Sequence, residues 1–415
     1  MISNQVNRRL KILHIIPSFQ HPKVRGPDRH YRFLRELSQR HNITLLAPIR
    51  SEISEEAIEE VASYTEKFIT FDLTSGSKHS NGSHNPLKSA GLQLEQLRKI
   101  KAGVQQMKKT FNRLVDEGDY DVVFFHGKNV FDVIEDFDDL PIVIDFCDAS
   151  SMRVRKKMEV ENKAKLPLLW LRYLRVRETE RNMIKKTPYV AFISSRDREA
   201  VAGPEDRWRI VPNGLDLQYW KRQTYNPQPN CLVFTGVMSY SPNADAAIYL
   251  IDHILPLLRK RVENLEILIV GRDPTPALLE KAERHSEVAV TGFVEDVRTY
   301  LERAEIFAAP LRYGSGMQNK IQEALAMEVP IVTTPIVAEG MQTEDGDSPP
   351  LWVAEGAEAF ADKVTELLAE KATRQRLAIE GRRFAQKHFD WARSAREFEE
   401  MCYQAIAGKK SRRHQ

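Results

Sequence analysis

Short apolar runs alternate with longer amphipathic segments along almost the whole chain. The segments between the runs have a helical period, and the longest extends from about Leu92 to Gly118. Apolar runs that are separated by helices indicate a parallel sheet with helices on both faces. In the first half of the chain we therefore predict strands at 11–17, 42–48, 67–73, 121–126, 141–148, 189–194 and 208–214.

The second half of the chain repeats this pattern. Its apolar runs predict strands at 231–236, 265–271, 288–293, 306–310 and 330–335. Its amphipathic segments predict helices at about 243–261, 276–284, 296–304 and 318–328. Strand–helix units that recur in both halves indicate an α/β protein with two doubly wound, Rossmann-like domains.

A polar segment at 215–230 separates the two halves, and it contains Pro227 and Pro229. Domains are usually joined by polar segments that contain proline or glycine. We therefore expect a first domain over 1–214 and a second domain over 215–388.

Two further segments differ from the repeating pattern. Residues 75–91 are rich in Ser, Gly, Asn and His, which predicts a loop within the first domain. The chain ends in helical segments from about Ala357 to Ala407, and a basic tail follows at 409–415.

The composition places the chain in an ordinary class. It has 415 residues, of which 42% are hydrophobic and 29% charged, as in a soluble globular protein of about two domains. The cysteines Cys147, Cys231 and Cys402 are odd in number and widely spaced, without a CxxC pair or a Cys/His cluster. They argue against a disulfide framework and a structural zinc site, so a reducing cytosol fits best.

The apolar run near the N-terminus is too short for the core of a signal peptide, and it ends at Pro17. No uncharged apolar stretch approaches 20 residues, so we predict no membrane-spanning helix. We therefore expect a cytoplasmic protein.

The segment IFAAPLRYGSGMQNKIQEALAM has the pattern of a phosphate-binding loop. Gly314 and Gly316 follow a strand, and the next helix carries Lys320 and Glu323 on one face. Glycines let backbone N–H groups approach an anion, and a helix N-terminus attracts negative charge. Lys320 would contact a diphosphate, and Glu323 would accept hydrogen bonds from a ribose. A glycine turn with a surface Lys/Glu pair is the alternative, and the spacing does not decide between them.

Several segments carry a resemblance to a known family: VPNGLD, FTGVMSYSPNADAAIYL, LEILIVG, VAVTGFVEDVRTYLERAEIFAAPLR and GSGMQNKIQEALAM. They resemble the retaining glycosyltransferases of family 4, and most of all the sugar transferases of exopolysaccharide and exosortase-associated clusters. The resemblance covers nearly all of 208–340 and extends more weakly to 11–50 and 119–153. It implies a GT-B fold, in which two Rossmann-like domains face a cleft and a final helix, at about 389–408, crosses back onto the first domain.

On this resemblance, the second domain binds a nucleotide-diphosphate sugar. Glu323 matches the second Glu of the family's E-x7-E motif, which typically holds the ribose. Ser315 stands in place of the first Glu, and this departure removes a carboxylate that usually faces the donor sugar. The diphosphate cradle would consist of Gly316, Met317, Gln318, Asn319 and Lys320.

Other positions of the second domain match the family as well. Gly236 precedes the loop in which many relatives carry an Arg and a Lys for the phosphates, and this chain has neither there. The lysine of the cradle and the backbone dipoles would then carry more of the phosphate binding. Phe293 and Val294 match the segment that usually contacts the base, and Asn213 and Gly214 match a turn at the domain junction.

The first domain has its own candidates at the ends of strands. His126 stands five residues after Asp121, as does a family His beside the transferred sugar, although a His that only ends a strand is the alternative. Asp145 and Asp148 end the next strand, and one of them would face the acceptor or the sugar. We favour Asp148 because it is nearer the carboxyl end of the strand, and a helix-capping role is its alternative.

An acceptor-side loop is the second candidate of the first domain. Gly26 and Pro27 match the family's Gly-Gly loop near the acceptor and the donor phosphate. Arg29 and His30 open the helix behind this loop. Because Pro27 replaces the second Gly, the loop is stiffer and has one N–H donor fewer.

One pair has the D-x-D spacing of metal-dependent glycosyltransferases, at Asp136 and Asp138. It lies in the charged surface turn IEDFDDLP and not after a strand, so we predict no metal site there. The HEXXH, GxxxxGK[ST] and GxSxG patterns are missing. We expect that the protein needs no cofactor and no metal ion.

The resemblance implies a hexosyltransferase-like enzyme of polysaccharide or glycoconjugate biosynthesis. It would move a sugar, with retention, from a nucleotide-diphosphate sugar to a glycan or a lipid-linked acceptor. Two alternatives stay open: a GT-B nucleotide-sugar epimerase or phosphorylase, and a non-catalytic scaffold that binds a nucleotide sugar.

The net charge of only +3 does not indicate a nucleic-acid-binding protein, but the charge is unevenly distributed. Residues 151–186 hold 12 Lys/Arg and 4 Asp/Glu, and the tail adds four more cations. These two segments account for +12, which leaves −9 for the rest of the chain. The basic stretch also has an apolar face with Trp170 and Tyr173. It indicates either contact with an anionic membrane surface or a solvated helix whose apolar stripe faces the core.

Overall fold

The computed structural model describes residues 8–24, 28–73, 86–160, 163–202, 208–314, 317–343 and 345–413. These residues form two parallel sheets, one of seven strands and one of six, which lie one after the other along the chain.

The first sheet has the strand order β3-β2-β1-β4-β5-β6-β7. Its strands are β1 (Lys11–Ile15), β2 (Asn42–Ile49), β3 (Lys67–Asp72), β4 (Val122–His126), β5 (Ile142–Cys147), β6 (Val190–Phe192) and β7 (Arg209–Ile210). Successive side chains of β1 point to opposite faces, and Ile12 and Leu13 belong to two different hydrophobic cores. Because both faces of the sheet are covered, its strands are apolar at successive positions.

The helices that cover this sheet are α1 (Arg29–Ser38), α2 (Glu55–Ser63), α3 (Pro86–Glu117), α4 (Ser150–Val160), α5 (Leu166–Lys186) and α6 (Ser195–Ala202). Short 3₁₀ turns occupy Lys128–Val133 and Lys163–Lys165. Local sequence explains where α2 begins, because the Ser54 hydroxyl accepts a hydrogen bond from the Ala57 N–H. Glu55 and Glu56 add negative charge in the first turn, where the helix dipole favours it.

The second sheet has the strand order β10-β9-β8-β11-β12-β13. Its strands are β8 (Cys231–Thr235), β9 (Glu266–Val270), β10 (Val288–Val290), β11 (Ile306–Ala309), β12 (Ile331–Thr333) and β13 (Leu351–Val353). The helices of the second half are α7 (Ser241–Tyr249), α8 (Leu255–Leu258), α9 (Pro276–Ala282), α10 (Arg298–Arg303), α11 (Asn319–Ala326), α12 (Pro335–Gly340), α13 (Ala357–Ala369), α14 (Lys371–His388) and α15 (Trp391–Arg413).

The structure differs from the predicted elements at five places. Helix α3 begins at Pro86, inside the predicted loop at 75–91, and helix α15 extends to Arg413, into the predicted tail at 409–415. The predicted helix at 243–261 is divided into α7, a π-helical turn at Leu250–Ile254 and α8. Pro256 lies at this division, and it has no N–H to donate to the preceding turn. Strand β13 and helix α12 were not predicted, because a run of three apolar residues and a single helical turn give no recognisable period.

The last helix, α15, returns to the first domain and packs against α1. Its Phe398 is fully buried, with ring centroids 4.7 Å from Phe124 and 4.8 Å from Phe33. The turn that precedes the second domain touches the start of α15, since a Cβ on Gly214 would overlap the backbone of Trp391. Two Rossmann-like domains and a final helix that crosses back confirm the predicted fold class, whereas the exact domain limits stay a prediction.

The order of strands reverses at one point in each sheet. This point lies between β1 and β4 in the first sheet and between β8 and β11 in the second. Ligands of open parallel sheets bind beyond the carboxyl ends of the strands at such points. Among the described residues, no helix has the length and apolar character that crossing a bilayer requires.

Candidate functional site

Lys320 lies at the reversal point of the second sheet, in the first turn of α11. Its side chain is buried, and Nζ donates to Oδ1 of Asn243 at 2.8 Å and to Oε1 of Gln318 at 3.2 Å. The same Nζ lies 5.7 Å from the ring centroid of Phe234 in β8. The ammonium group is therefore held between β8 and α11, at the base of the crevice.

Burial has opposite effects on the two charged groups of α11. It lowers the pKa of Lys320 to about 8, although the nearby carboxylate of Glu323 acts in the other direction. It raises the pKa of Glu323 to about 7, and Asp28 of the first domain adds to this rise, whereas Lys320 opposes it. An anion bound at Lys320 would restore the ordinary pKa of the lysine, so the ammonium is placed to gain from a phosphate ligand.

Two glycines shape the floor of this crevice. A Cβ on Gly271, which follows β9, would overlap the carbonyl oxygen of Gly236, which follows β8. A Cβ on Gly236 would lie 2.6 Å from Nδ2 of Asn243, the residue that holds Lys320. The two loops therefore pack backbone to backbone, and Gly236 supports the position of Asn243.

Phe293 is the exposed aromatic residue beyond β10. Its side chain is 72% exposed and follows Gly292, whose φ of +69° turns the chain away from the strand. Val294 instead packs against the core of the second domain. Of the two residues predicted to contact a base, Phe293 offers a free ring face and Val294 does not.

Asn213 joins the two domains. Its Oδ1 accepts a hydrogen bond from Arg29 at 2.8 Å, and its Nδ2 donates to Oδ1 of Asn319 at 2.9 Å. Its backbone carbonyl also accepts from Nε2 of Gln322 at 3.0 Å. We call Arg29, Asn213 and Asn319 the interdomain bridge, because it connects α1 of the first domain with α11 of the second.

A cavity of about 510 Å³ lies beside this bridge. The first domain contributes Pro22, Lys23, Asp28 and Arg32 to its wall. The second domain and the junction contribute Gly214, Leu215, Asp216, Tyr219, Trp220, Asn319, Gln322, Glu323 and Trp391. Glu323 therefore faces the space between the domains, where it could contact a bound ligand.

Asp145 is the centre of the first-domain site. Its carboxylate is fully buried and accepts from Arg29 through Nε at 2.7 Å and through a terminal nitrogen at 3.3 Å. Nε2 of His30 lies 3.1 Å from the same carboxylate, and Nδ1 of His126 lies 2.9 Å from the backbone oxygen of Asp145. We call these four residues the Asp145 cluster.

The charges of this cluster are fixed by burial and by Arg29. Burial alone would raise the pKa of Asp145, but Arg29 and His30 reverse this effect and hold it far below its ordinary range. Burial lowers the pKa of His30, and it lowers that of His126 to about 3. The cluster therefore contains an aspartate, a guanidinium and neutral imidazoles at neutral pH.

The tautomer of His126 follows from its partner. A backbone carbonyl only accepts hydrogen bonds, so Nδ1 of His126 carries the proton. Nε2 then keeps a lone pair on a half-buried ring at the carboxyl end of β4. His126 can accept a hydrogen bond from a hydroxyl group, and its ring is stacked on His30 with centroids 4.3 Å apart.

The backbone of β5 is bent where it places Asp145. The pairing with β6 shifts between Asp145 and Cys147, and Cys147 has a φ of 62°, which is rare for a residue with a side chain. The Cys147 N–H lies 3.2 Å from Oδ1 of Asp145 and donates to it. Asp148, which sequence reasoning favoured, instead pairs with Arg153 at 3.2 Å, whereas Asp145 holds His126.

His30, His126 and Asp145 have the spacing of a metal-ligand set, since their ligand atoms lie within 4.8 Å of one another. Arg29 occupies both carboxylate oxygens, so a divalent cation would have to displace a buried guanidinium. The donor set therefore does not fit a metal ion.

The acidic D-x-D pair is held by lysines. Asp136 lies 2.9 Å from Nζ of Lys108, and Asp138 lies 3.1 Å from Nζ of Lys186. The two carboxylates have different partners on α3 and α5, so they do not converge on one ion.

The remaining predicted positions divide into two groups. Gly26, Pro27, Ser315 and Gly316 lie outside the described residues. Met317 is buried in the core of the second domain, and its sulfur accepts from Gln322.

Sequence reasoning missed three contributions to the site. Asn243 and Gln322 were not singled out, although Asn243 lies in the segment after Gly236 in which many relatives carry basic residues for the phosphates. Arg29 was predicted only as a residue behind the acceptor-side loop, and the structure shows a buried ion pair.

One family model matches the second half of the chain. Residues 229–370 match the family described as glycosyl transferases group 1. No curated protein matches this chain by sequence.

Solved structures match the chain over nearly its whole length. The structure of Anabaena Alr3699/HepE in complex with UDP and glucose is 13% identical, with a TM-score of 0.61, and the match covers 94% of this chain and 99% of that one. Sucrose-phosphate synthase from Thermosynechococcus elongatus is 14% identical, with a TM-score of 0.65 and coverage of 96% and 100%. A variant of S. aureus TarM in complex with fondaparinux, alpha-GlcNAc-glycerol and UDP is 8% identical, with a TM-score of 0.65 and coverage of 95% and 99%.

These likenesses show that the chain has the GT-B fold. Together with the family match in the second domain, the fold supports a glycosyltransferase.

Proposed function

We propose that the protein transfers a sugar from a nucleotide-diphosphate sugar to a hydroxyl group of a glycan or a lipid-linked acceptor, with retention of configuration. The observation that carries this proposal is the buried ammonium of Lys320 at the start of α11, inside the glycosyl transferases group 1 domain. The side chains that accept hydrogen bonds from this ammonium, Asn243 and Gln318, are neutral, so a diphosphate in the crevice would supply a counter-charge.

The second domain would hold the donor. Lys320 and the N-terminus of α11 would neutralise the charge that develops on the leaving diphosphate as the glycosidic bond breaks. Glu323 would accept hydrogen bonds from the ribose hydroxyls on the side of the cavity. Phe293 would stack on the base, because its ring is exposed beyond the carboxyl end of β10.

The first domain would hold the transferred sugar. Nε2 of His126 would accept a hydrogen bond from a sugar hydroxyl, because its Nδ1 is fixed on the carbonyl of Asp145. The acceptor oxygen would attack the anomeric carbon as the bond to the diphosphate breaks. The proton of the acceptor would pass to the leaving phosphate oxygen. We propose that no metal ion takes part, since Lys320 and backbone N–H groups supply the positive charge.

Names of structural relatives support the classes of ligand. HepE was solved with UDP and glucose, and TarM with UDP, alpha-GlcNAc-glycerol and fondaparinux. We propose a nucleoside-diphosphate hexose as donor and a cytoplasmic role in polysaccharide or glycoconjugate biosynthesis, in the manner of the family 4 enzymes that the sequence resembles.

A panel of nucleotide sugars tests the donor site, with thermal shift as the measure of binding. The variants Lys320→Ala and Glu323→Ala should each weaken nucleotide-sugar binding and lower the rate of transfer. A Lys281→Ala variant is the matched control, because this lysine lies on the surface of the same domain and pairs with Asp252. If both variants bind nucleotide sugars and transfer the sugar like the wild type, the donor site does not include Lys320 and Glu323. Nuclear magnetic resonance of the product tests retention, and an inverted linkage would exclude it.

A non-catalytic scaffold is the second candidate. Ser315 stands where a donor-facing Glu is usual, and the loop after Gly236 lacks the usual basic pair. Binding of a nucleotide sugar without turnover on any acceptor would favour the scaffold. A change in the sugar without any acceptor would favour an epimerase.

A further inference from the structure

We propose that the hairpin of α4 and α5 docks on the surface of a lipid bilayer that contains anionic phospholipids. The two helices pack along each other, and the segment 163–175 forms the end of the hairpin. We call this segment the hairpin tip. It lies apart from the donor crevice, so this inference does not depend on the proposed transfer reaction.

The hairpin tip exposes a continuous apolar surface. The side chains of Leu168, Trp170, Leu171 and Leu174 are 73%, 53%, 56% and 47% exposed. No other stretch of this length in the described part of the chain exposes four large apolar side chains. Contiguous exposed apolar surface of this kind marks an interaction site, whereas single exposed residues do not.

The tip projects beyond the first sheet on the side of the cleft. Glu180 lies at the level of the carboxyl edge, because its Oε1 is 3.2 Å from the N–H of Ser151 and 3.8 Å from Nζ of Lys128. Leu168 precedes Glu180 by twelve residues of α5, which is about 18 Å of helix. A tip that rests on a bilayer therefore turns the opening of the cleft toward the membrane.

Charge complementarity selects an anionic bilayer as the partner. The tip contains Lys163, Lys165, Arg172 and Arg175 and no acidic residue, and all four cations are exposed. An anionic leaflet attracts such cations, and it repels the rest of the chain, which is acidic outside this region and the tail. The charge therefore directs the tip toward the bilayer.

The shape of the tip fits insertion at the level of the headgroups. Trp170 and Tyr173 stack with ring centroids 5.4 Å apart, and both residue types favour the interface between lipid and water. A groove of about 790 Å³ between α4 and α5 adjoins this pair, with Met158, Leu166 and Pro167 on its walls. The leucines would enter the outer hydrocarbon region while the cations meet the phosphates.

Sedimentation of the full chain with vesicles tests the proposal. We expect binding to vesicles of phosphatidylglycerol and phosphatidylcholine, and little binding to vesicles of phosphatidylcholine alone. Arg172→Ala/Arg175→Ala should weaken binding about thirtyfold, from about 1 kcal/mol per cation. Leu168→Ser/Leu171→Ser should weaken it at least as much, because each inserted leucine contributes about tenfold or more. Circular dichroism verifies that both variants fold.

Matched controls use exposed residues far from the tip. Ile379→Ser changes an isolated leucine-sized side chain that is 51% exposed on α14, and Lys260→Ala/Lys371→Ala removes two exposed cations. Both controls should bind like the wild type. The tryptophan emission should shift to shorter wavelength on anionic vesicles, and Trp170→Phe should remove most of this shift while binding persists.

Three results would overturn the proposal. The first is equal binding to neutral and anionic vesicles, and the second is unchanged binding by both tip variants. The third is a dimer of the wild type that the leucine variant abolishes, without vesicle binding, because the tip would then contact a second copy of the chain.

Discussion

The charge balance of the Asp145 cluster leads to a prediction about stability. Asp145→Asn removes one negative charge and keeps the shape of the side chain. Arg29 is 4% exposed and Asp145 is completely buried, so neither group reaches water when its partner is lost. The remaining guanidinium would keep hydrogen bonds to Asn213 and to the Val211 carbonyl but no counter-charge.

Loss of one partner of a buried ion pair costs about 3–5 kcal/mol of unfolding free energy. We expect about 3 kcal/mol, at the lower end, because the Asn oxygen still accepts one hydrogen bond from Arg29. Chemical denaturation followed by circular dichroism measures this loss. A second change, Arg29→Met in the Asp145→Asn background, should restore part of the stability because it removes the unpaired charge.

Asp148→Asn is the matched control. It makes the same chemical change three residues later, but that carboxylate is 25% exposed and its partners reach solvent. We expect a loss of less than about 1 kcal/mol there. An Asp145→Asn variant that also stays within about 1 kcal/mol of the wild type would contradict a stabilising role of the buried ion pair.

The carboxylate of Asp145 also makes the stability of the protein depend on pH in the acid range. The pKa of Asp145 in the folded protein is lower than its value of about 3.9 in an unfolded chain. The ionised carboxylate therefore contributes its full share of the unfolding free energy above about pH 3.9, and this share is lost as the pH falls below that value. In Asp145→Asn this part of the acid dependence should be missing.

The other predictions concern the second domain and the junction. Because the pKa of Lys320 is about 8 in the free protein, affinity for a nucleoside diphosphate should fall as the pH rises above 8, and Lys320→Met should abolish this slope in calorimetric titrations. Phe293→Ala should weaken nucleoside-diphosphate binding about tenfold or more while pyrophosphate binding stays unchanged, since only the base stacks on the ring. Asn213→Ala should raise the ratio of donor hydrolysis to transfer about fivefold, the equivalent of one hydrogen bond, because the interdomain bridge is broken, and equal ratios would contradict this role. Gly271→Ala should lower the unfolding free energy by about 3 kcal/mol in chemical denaturation, because its Cβ meets the Gly236 carbonyl.

The sequence allowed the fold to be predicted because both sheets are parallel and buried. Every predicted strand corresponds to a strand in the structure, since a continuous apolar run stands out between amphipathic helices. Helical spacing singled out Lys320 and Glu323, although it also allowed a surface pair, and the family resemblance singled out His126 at the end of β4. The roles of these three residues stay predictions. These patterns involve residues that are close together in the chain, so one sequence is enough to recognise them.

The Asp145 cluster was less visible because its contacts are long-range. Arg29 and Asp145 are 116 positions apart, and a charged residue in a sequence is normally expected on the surface. Sequence position favoured Asp148 because it is nearer the strand end. Asp145 is oriented by the shift in strand pairing and by the positive φ at Cys147. Neither feature can be recognised from the pattern of apolar residues.

The return of α15 to the first domain has a consequence for the order of events during synthesis. Arg40 and His41 both bind Glu399, more than 350 positions later. Phe33 likewise packs against Phe398, which is synthesised near the end of the chain. At about 5–20 residues per second, the ribosome needs roughly 20–70 s to make that stretch. The second domain can therefore finish folding while the first still has an open apolar face. A stop codon just before Trp391 would spare the sheet of the second domain and leave the core of the first one incomplete.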